Sequence, residues 1–200
     1  MTTRVRALSF ALAILVMVPV SAAAQSSMTF GVKGGVNSST LNSKNNPDMK
    51  QLLGGVGGVF LGGDVNSTLG IQVEGLFSQR GAKDKSDGFN TNIRLNYIDV
   101  PVLARISVGS SNSARFHIFG GMQASYLLKA EASNDDLNLT IDIKDEVETF
   151  DFGVTAGAGV EISRLSIDAR YTMGLMNVSK DSNEDVKNRT FTVMVGYRLK

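Results

Sequence analysis

Along this 200-residue chain, apolar side chains alternate with small or polar ones at a spacing of two, and no long segment carries a 3.6-residue period. Phe30, Val32 and Val36 alternate with Thr29, Lys33 and Gly35, and Ile71, Val73 and Phe77 with Gln72, Glu74 and Ser78. The same rhythm runs through residues 116–129, 150–162, 165–175 and 190–199. Side chains of a strand point to opposite faces in turn, so each run predicts a strand with one apolar face. Two further strands are less regular. Residues 54–64 are too rich in Gly for their faces to be assigned. In residues 92–107, Ile98, Val100, Val102 and Ile106 share a face with Arg94 and Asn96. A bulge near Asn96, or an upper half standing above a membrane, would account for that slip. Pro101 calls for a bulge or an unpaired donor position, because it cannot donate to a ladder. Eight strands result, and the expectation is an all-β chain.

The connections between them alternate in length. Residues 65–68, 109–113 and 163–164 are short, whereas roughly 37–53, 80–91, 130–149 and 177–188 are long and polar. An antiparallel up-and-down barrel with both termini at one end has this rhythm, with short periplasmic turns and long extracellular loops.

The N-terminus reads as an export signal. Arg4 and Arg6 precede an apolar run from Ala7 to Val18, Pro19 breaks it, and Ala22-Ala23-Ala24 offers a cleavage site. Residues 1–24 are therefore expected to be a cleaved signal peptide and residues 25–200 the barrel domain. Without Arg4 and Arg6, 18 basic side chains face 19 acidic ones, a net charge of −1. That balance argues against electrostatically driven nucleic-acid binding. The chain has no Cys, which excludes disulfides, thiolate metal sites and a lipoprotein anchor. No run after residue 24 reaches the length of a spanning helix, so a membrane would have to be crossed as a closed barrel.

Alternation alone fits a soluble, lipocalin-like barrel as well as a membrane one, since the two differ only in which face is apolar. Three features point to the membrane version. The apolar rows are long enough for tilted spanning strands. Aromatics collect toward the two ends: Phe77, Tyr126, Phe150, Phe152 and Phe191 at one, Phe30, Phe116 and Tyr197 at the other. The opposite rows mix Gly, Ser and Thr with charges of both signs, as a narrow lumen filled by side chains requires. Strand direction places Lys33, Glu74, Asp168 and Arg170 near mid-height in that lumen. It places Arg198, Glu161 and His117 toward the periplasmic end, and Lys129 and Asp151 toward the outer end. Such interior charges must be paired or hydrated.

Three segments resemble a known family. Leu95 to Ile106, LNYIDVPVLARI, has an aromatic-x-acidic-x-Pro strand running on to a basic residue. It resembles a signature of the bacterial outer-membrane protein β-barrel domain family, the porin-like or PorT-like small barrels. Phe30 to Asn37 (FGVKGGVN) is similar to that family's first strand, and Val195 to Leu199 (VGYRL) to its last. The resemblance implies an eight-stranded transmembrane β-barrel in the outer membrane, with the lipid bilayer as partner and the outer-membrane assembly machinery as a partner during biogenesis. Many such barrels end on an aromatic residue read by that machinery, whereas here Leu199-Lys200 follow Tyr197. The resemblance carries no catalytic residues and no cofactor.

The residues themselves offer little chemistry. His117 is the only His, and it adjoins a short turn, which suits a hydrogen-bonding role better than that of a catalytic base. One His and no Cys rule out the usual zinc sets. Asp135, Asp136, Asp142, Asp145, Glu146 and Glu148 lack EF-hand spacing and read as solvated loop charge rather than a Ca²⁺ site. Gly54-Gly55-Val56-Gly57-Gly58 resembles a phosphate loop in composition only, with no Lys-Ser/Thr after it. The expectation is a monomeric barrel with a structural, adhesion or interaction role through its loops and without catalysis. A narrow channel for small solutes is the alternative. A lipid-modifying enzyme and a soluble lipocalin-like binder rank behind it.

Overall fold

The computed structural model describes residues 28–43, 50–84, 91–109, 114–134, 139–180 and 186–200. The expected signal peptide, residues 1–24, lies outside the described residues, as does most of the turn expected at 109–113. Eight long strands close an antiparallel barrel: β1 (Met28–Ser43), β2 (Lys50–Asp64), β3 (Leu69–Asp84), β4 (Thr91–Gly109), β5 (Arg115–Asn134), β7 (Phe150–Ile162), β8 (Leu165–Gly174) and β9 (Val186–Arg198). Each pairs with its neighbours in chain order, β4 pairs β5, and β1 pairs β9 to close the ring. Closure removes the free edges that lipid could not satisfy.

A ninth strand, β6 (Leu139–Asp142), falls inside the connection expected at 130–149. It pairs only with the upper end of β5, from Glu131↔Asp142 to Asn134↔Leu139, and stands outside the ring. The ladders also climb into the other long connections. β1 and β2 pair up to Ser39↔Leu52, β3 and β4 up to Asp84↔Thr91, and β9 begins at Val186. The sequence-based limits of 37–53, 80–91 and 177–188 are therefore too wide. Polar residues signal solvent on both faces, and a ladder held only by backbone bonds leaves no apolar trace.

The faces sort as the alternation requires. Phe30, Val32, Ile71, Phe116, Ile118, Met122, Ile167 and Val195 are exposed, and so are all the aromatics assigned to the two girdles. The inward rows are polar at mid-height. On β2, Val56, Phe60 and Gly62 face inward, which resolves the Gly-rich strand.

Both irregularities of β4 have a structural cause. The β4–β5 register shifts between Asn96↔Lys129 and Tyr97↔Leu127, leaving Leu128 as an extra residue on β5. β4 itself keeps one phase through Asn96, so the expected slip is absent from it and the bulge lies on the partner strand. Arg94 sits on the outer face of β4, toward the loop end. Pro101 is buried and pairs with Gln123 of β5, while the β3–β4 ladder skips from Val73↔Val102 to Leu76↔Asp99 without changing register. The missing N–H falls in that gap.

The lumen is not polar throughout. At the loop end Leu41, Ala82, Leu95, Tyr97, Leu127, Ala130, Val178 and Val186 form a buried apolar cluster, with Ile93, Ile143 and Val147 packed against it. Two connections deliver its upper members. A 3₁₀ turn at Lys144–Glu146 and a bridge between Val147 and Ser179 hold them together. Backbone bonds reinforce this: Glu148 N donates to Val178 O at 2.8 Å, and Val178 N to Val186 O at 2.9 Å. The apolar cap so formed lies across the loop end of the bore.

Candidate functional site: a filled, charged lumen

Four of the five lumen residues singled out from sequence meet in one cluster at mid-height. Lys33 of β1 donates to Glu74 of β3 at 3.1 Å and to Asp168 of β8. Arg170, two residues along β8, clamps both oxygens of Glu74, at 2.7 and 3.0 Å. A bidentate guanidinium–carboxylate pair of this kind fixes orientation as well as charge. His117 joins through Nε2, 2.8 Å from Asp168 Oδ1, so it belongs to the cluster rather than to the turn-end rim. All five side chains are buried, with Glu74 fully enclosed. Two cations face two anions, so the cluster is neutral when His117 is neutral and satisfies the pairing that burial demands.

Arg198 lies apart, on Glu161 at 2.7 Å. It still connects to the centre. Glu161 is also 3.6 Å from Arg105, Arg105 donates to Gln72 at 2.8 Å, and Gln72 donates to Glu74. One chain of polar contacts therefore links the turn end to mid-height. Of the two residues expected toward the outer end, Asp151 is buried and accepts from Asn188 Nδ2 at 2.9 Å, whereas Lys129 is exposed and pairs with Glu131.

Above the cluster Val56, Leu76 and Met194 form a small apolar layer. A second polar layer follows, in which Arg80 donates to Asp99 and, at 3.4 Å, to Ser125, and stands 4.9 Å from the Tyr97 ring. Sequence reasoning missed this pair because Arg80 opened an expected loop. Asp99 was traceable, since it has the parity opposite to Ile98 and Val100. Sequence reasoning also gave no role to two inward aromatics, Phe60, whose face was left unassigned, and Phe119, whose parity is that of His117 and Gln123. Phe60 lies against Lys33 with 5.2 Å between Nζ and ring centroid, and Phe119 against Arg170 at 5.3 Å. Each ring covers a glycine on the adjacent strand, Gly31 for Phe60 and Gly157 for Phe119. Desolvated cations gain from such ring faces.

Chemically the arrangement fills and stiffens a bore. His117 Nδ1 has no hydrogen-bond partner, and among the described residues no hydroxyl bonds to His117, so no Ser–His pair is assembled there. Among the described residues no group of His, Asp and Glu is placed to hold a metal ion.

Apolar side chains outside, ion pairs inside and a closed ring of eight strands define a transmembrane β-barrel. The chain belongs to the outer membrane protein beta-barrel domain family, whose model matches residues 23–180. No curated protein matches the chain. Among solved structures it resembles Neisserial surface protein A, with a TM-score of 0.51 and 14% identity over 86% of this chain and 98% of that one. It also resembles Ail, the attachment invasion locus protein of Yersinia pestis, solved in complex with the heparin analogue sucrose octasulfate. That match has a TM-score of 0.45 and 18% identity over 86% of this chain and 99% of that one. The outer membrane enzyme PagL matches with a TM-score of 0.45 and 10% identity over 86% of this chain and 99% of that one.

Proposed function

We propose that this protein is a sealed outer-membrane barrel that acts through the surface of its loop end, in a structural, adhesive or interaction role, without catalysis. One observation carries the reading: the bore is obstructed twice. The Lys33–Glu74–Arg170–Asp168 cluster crosses it at mid-height, and the apolar cap around Tyr97 and Leu127 closes it above. A narrow eight-stranded lumen filled in this way leaves no continuous water path, and a solute would have to break buried ion pairs to pass. What remains exposed to partners is the set of loops.

In this reading residues 1–24 are a signal peptide removed on export, residues 25–200 are the barrel, and the assembly machinery inserts it as a monomer. Both termini and the short turns face the periplasm. No cofactor and no nucleic acid take part.

Reconstitution into planar bilayers tests the sealed bore. Bilayers that stay silent at high protein load are the expected result, and stable, reproducible conductance steps would establish the narrow channel instead. Cell fractionation tests the location. Recovery only in detergent-extracted membranes, with heat-modifiable gel mobility, is expected, whereas a detergent-free periplasmic pool would favour a soluble binder. For a lipid-modifying enzyme, His117→Ala is the decisive variant, because His117 is the best base the lumen offers.

A further inference from the structure

The turn end of the lumen opens into a vestibule that the loop-end function does not use. Arg105, Arg115, Arg164 and Arg198 line it, with Asp64 and Glu161 as its acids and the Lys33–Asp168 pair at its floor. It is a small, concave opening, continuous with solvent. Lys33 and Asp168 cancel, so four guanidiniums face two carboxylates and the mouth keeps a surplus of two positive charges.

The acids are placed so that they do not use up the donors. Glu161 is shared between Arg198, at 2.7 Å, and Arg105, at 3.6 Å, which is beyond good hydrogen-bond length. Arg115 gives one nitrogen to Asp64 at 2.9 Å. Arg164, in the β7–β8 turn, has no carboxylate partner among the described residues. Arg198 also donates to the Ser163 carbonyl at 2.7 Å, Arg115 to the Ser67 carbonyl at 3.5 Å and Arg105 to Gln72 at 2.8 Å. With five N–H groups each, these three guanidiniums keep N–H groups beyond the two that their partners take, and Arg164 keeps its own set. The side chains of Arg105, Arg115 and Arg198 are only 17%, 13% and 27% exposed. Half-sunk charges in a concave, low-dielectric wall attract counter-ions more strongly than charges on a flat surface. Planar guanidinium forks match tetrahedral oxyanions bidentately.

We propose that this vestibule is a binding site for a phosphate-type oxyanion. The proposal stands apart from the loop-end reading, because it concerns the opposite mouth and holds whether or not the bore conducts. The phosphate belongs either to a small soluble molecule or to a lipid headgroup at the adjacent bilayer surface.

The test is calorimetric titration of the full barrel with pyrophosphate at low ionic strength, in phosphatidylcholine nanodiscs. A saturable isotherm is expected. Arg164→Gln, on an exposed turn where the fold is safe, weakens binding several-fold, and Arg105→Gln with Arg198→Gln weakens it about tenfold or more, each charged hydrogen bond lost being worth such a factor. Glu161→Gln strengthens binding, because it frees two guanidiniums from their shared acid. This opposite sign separates a site from general damage, and circular dichroism confirms that each variant is folded. Repeating the titration in phosphatidylglycerol nanodiscs assigns the source. Lost pyrophosphate affinity there identifies the lipid headgroup, unchanged affinity identifies a soluble phosphate, and both support the site. No saturable binding, or Arg164→Gln and Glu161→Gln isotherms that match the parent, overturns it.

Discussion

Phe119 of β5 lays its ring over Gly157, its cross-strand partner on β7, so closely that a Cβ at position 157 would stand 2.6 Å from the ring's Cζ and closer still to the Ala169 carbonyl oxygen. The same ring faces the Arg170 guanidinium that clamps Glu74. One missing side chain thus makes room for an aromatic wall on which the central cluster rests.

Gly157→Ala is accordingly expected to lower stability by about 1–3 kcal/mol, the usual cost of overpacking an enclosed site. Gly120→Ala is the control, because its Cβ would find its nearest neighbour at 3.6 Å. A change of less than about 0.5 kcal/mol is expected there. Urea unfolding in detergent micelles, followed by circular dichroism, checks both. Equal effects of the two variants would refute the packing argument.

Arg80 and Asp99 offer a cleaner test of the buried charges. Arg80→Met leaves Asp99 uncompensated and is expected to cost about 3–5 kcal/mol. Arg80→Met combined with Asp99→Asn removes both charges and should recover more than half of that loss. A double variant less stable than the single one would mean that the pair stabilises the barrel in its own right rather than satisfying mutual need.

How far the lumen was legible follows from these residues. The faces of Lys33, Glu74, Asp168 and Arg170 are readable because parity alone sets them. Their partners are not, because Lys33 and Asp168 are 135 residues apart and meet only through the register of β1, β9 and β8. Arg80 was hidden by the polar run after it, Ala82-Lys83-Asp84-Lys85-Ser86-Asp87, which resembles a loop although β3 continues to Asp84. The apolar cap did leave a mark, namely Ile143, Val147 and Val178 isolated within polar connections. Without an amphipathic period, such residues do not declare what they pack against.

The cap makes its own prediction. Leu127 is fully buried in it, beside Tyr97 and Ala130. Leu127→Ala is expected to cost about 2–5 kcal/mol. It should also raise hydrogen exchange at the amides of Glu148 and Val178, whose bonds hold the two connections over the bore. Unchanged exchange at those amides would show that the cap does not anchor the loops.

The outer face can be probed at Met122, which is exposed and lies on β5 between the girdle residues Phe116 and Tyr126. Met122→Arg should cost about 2–4 kcal/mol when folding is measured in lipid vesicles. If the variant is as stable there as the parent chain, position 122 does not face hydrocarbon.

The extra residue at Leu128 separates two regimes of the barrel. Below it, the bilayer dictates which parity is apolar, and any odd insertion would turn charges into lipid. Above it, β5 has changed parity, and Ala130 turns inward to the apolar cap that Leu127 joins from below the bulge. The bulge acts as a clutch: the hairpin of β5 and β6 can be lengthened, shortened or exchanged while the membrane belt keeps its phase. Novelty in what this protein touches can therefore arise at its rim without renegotiating how it sits in the membrane.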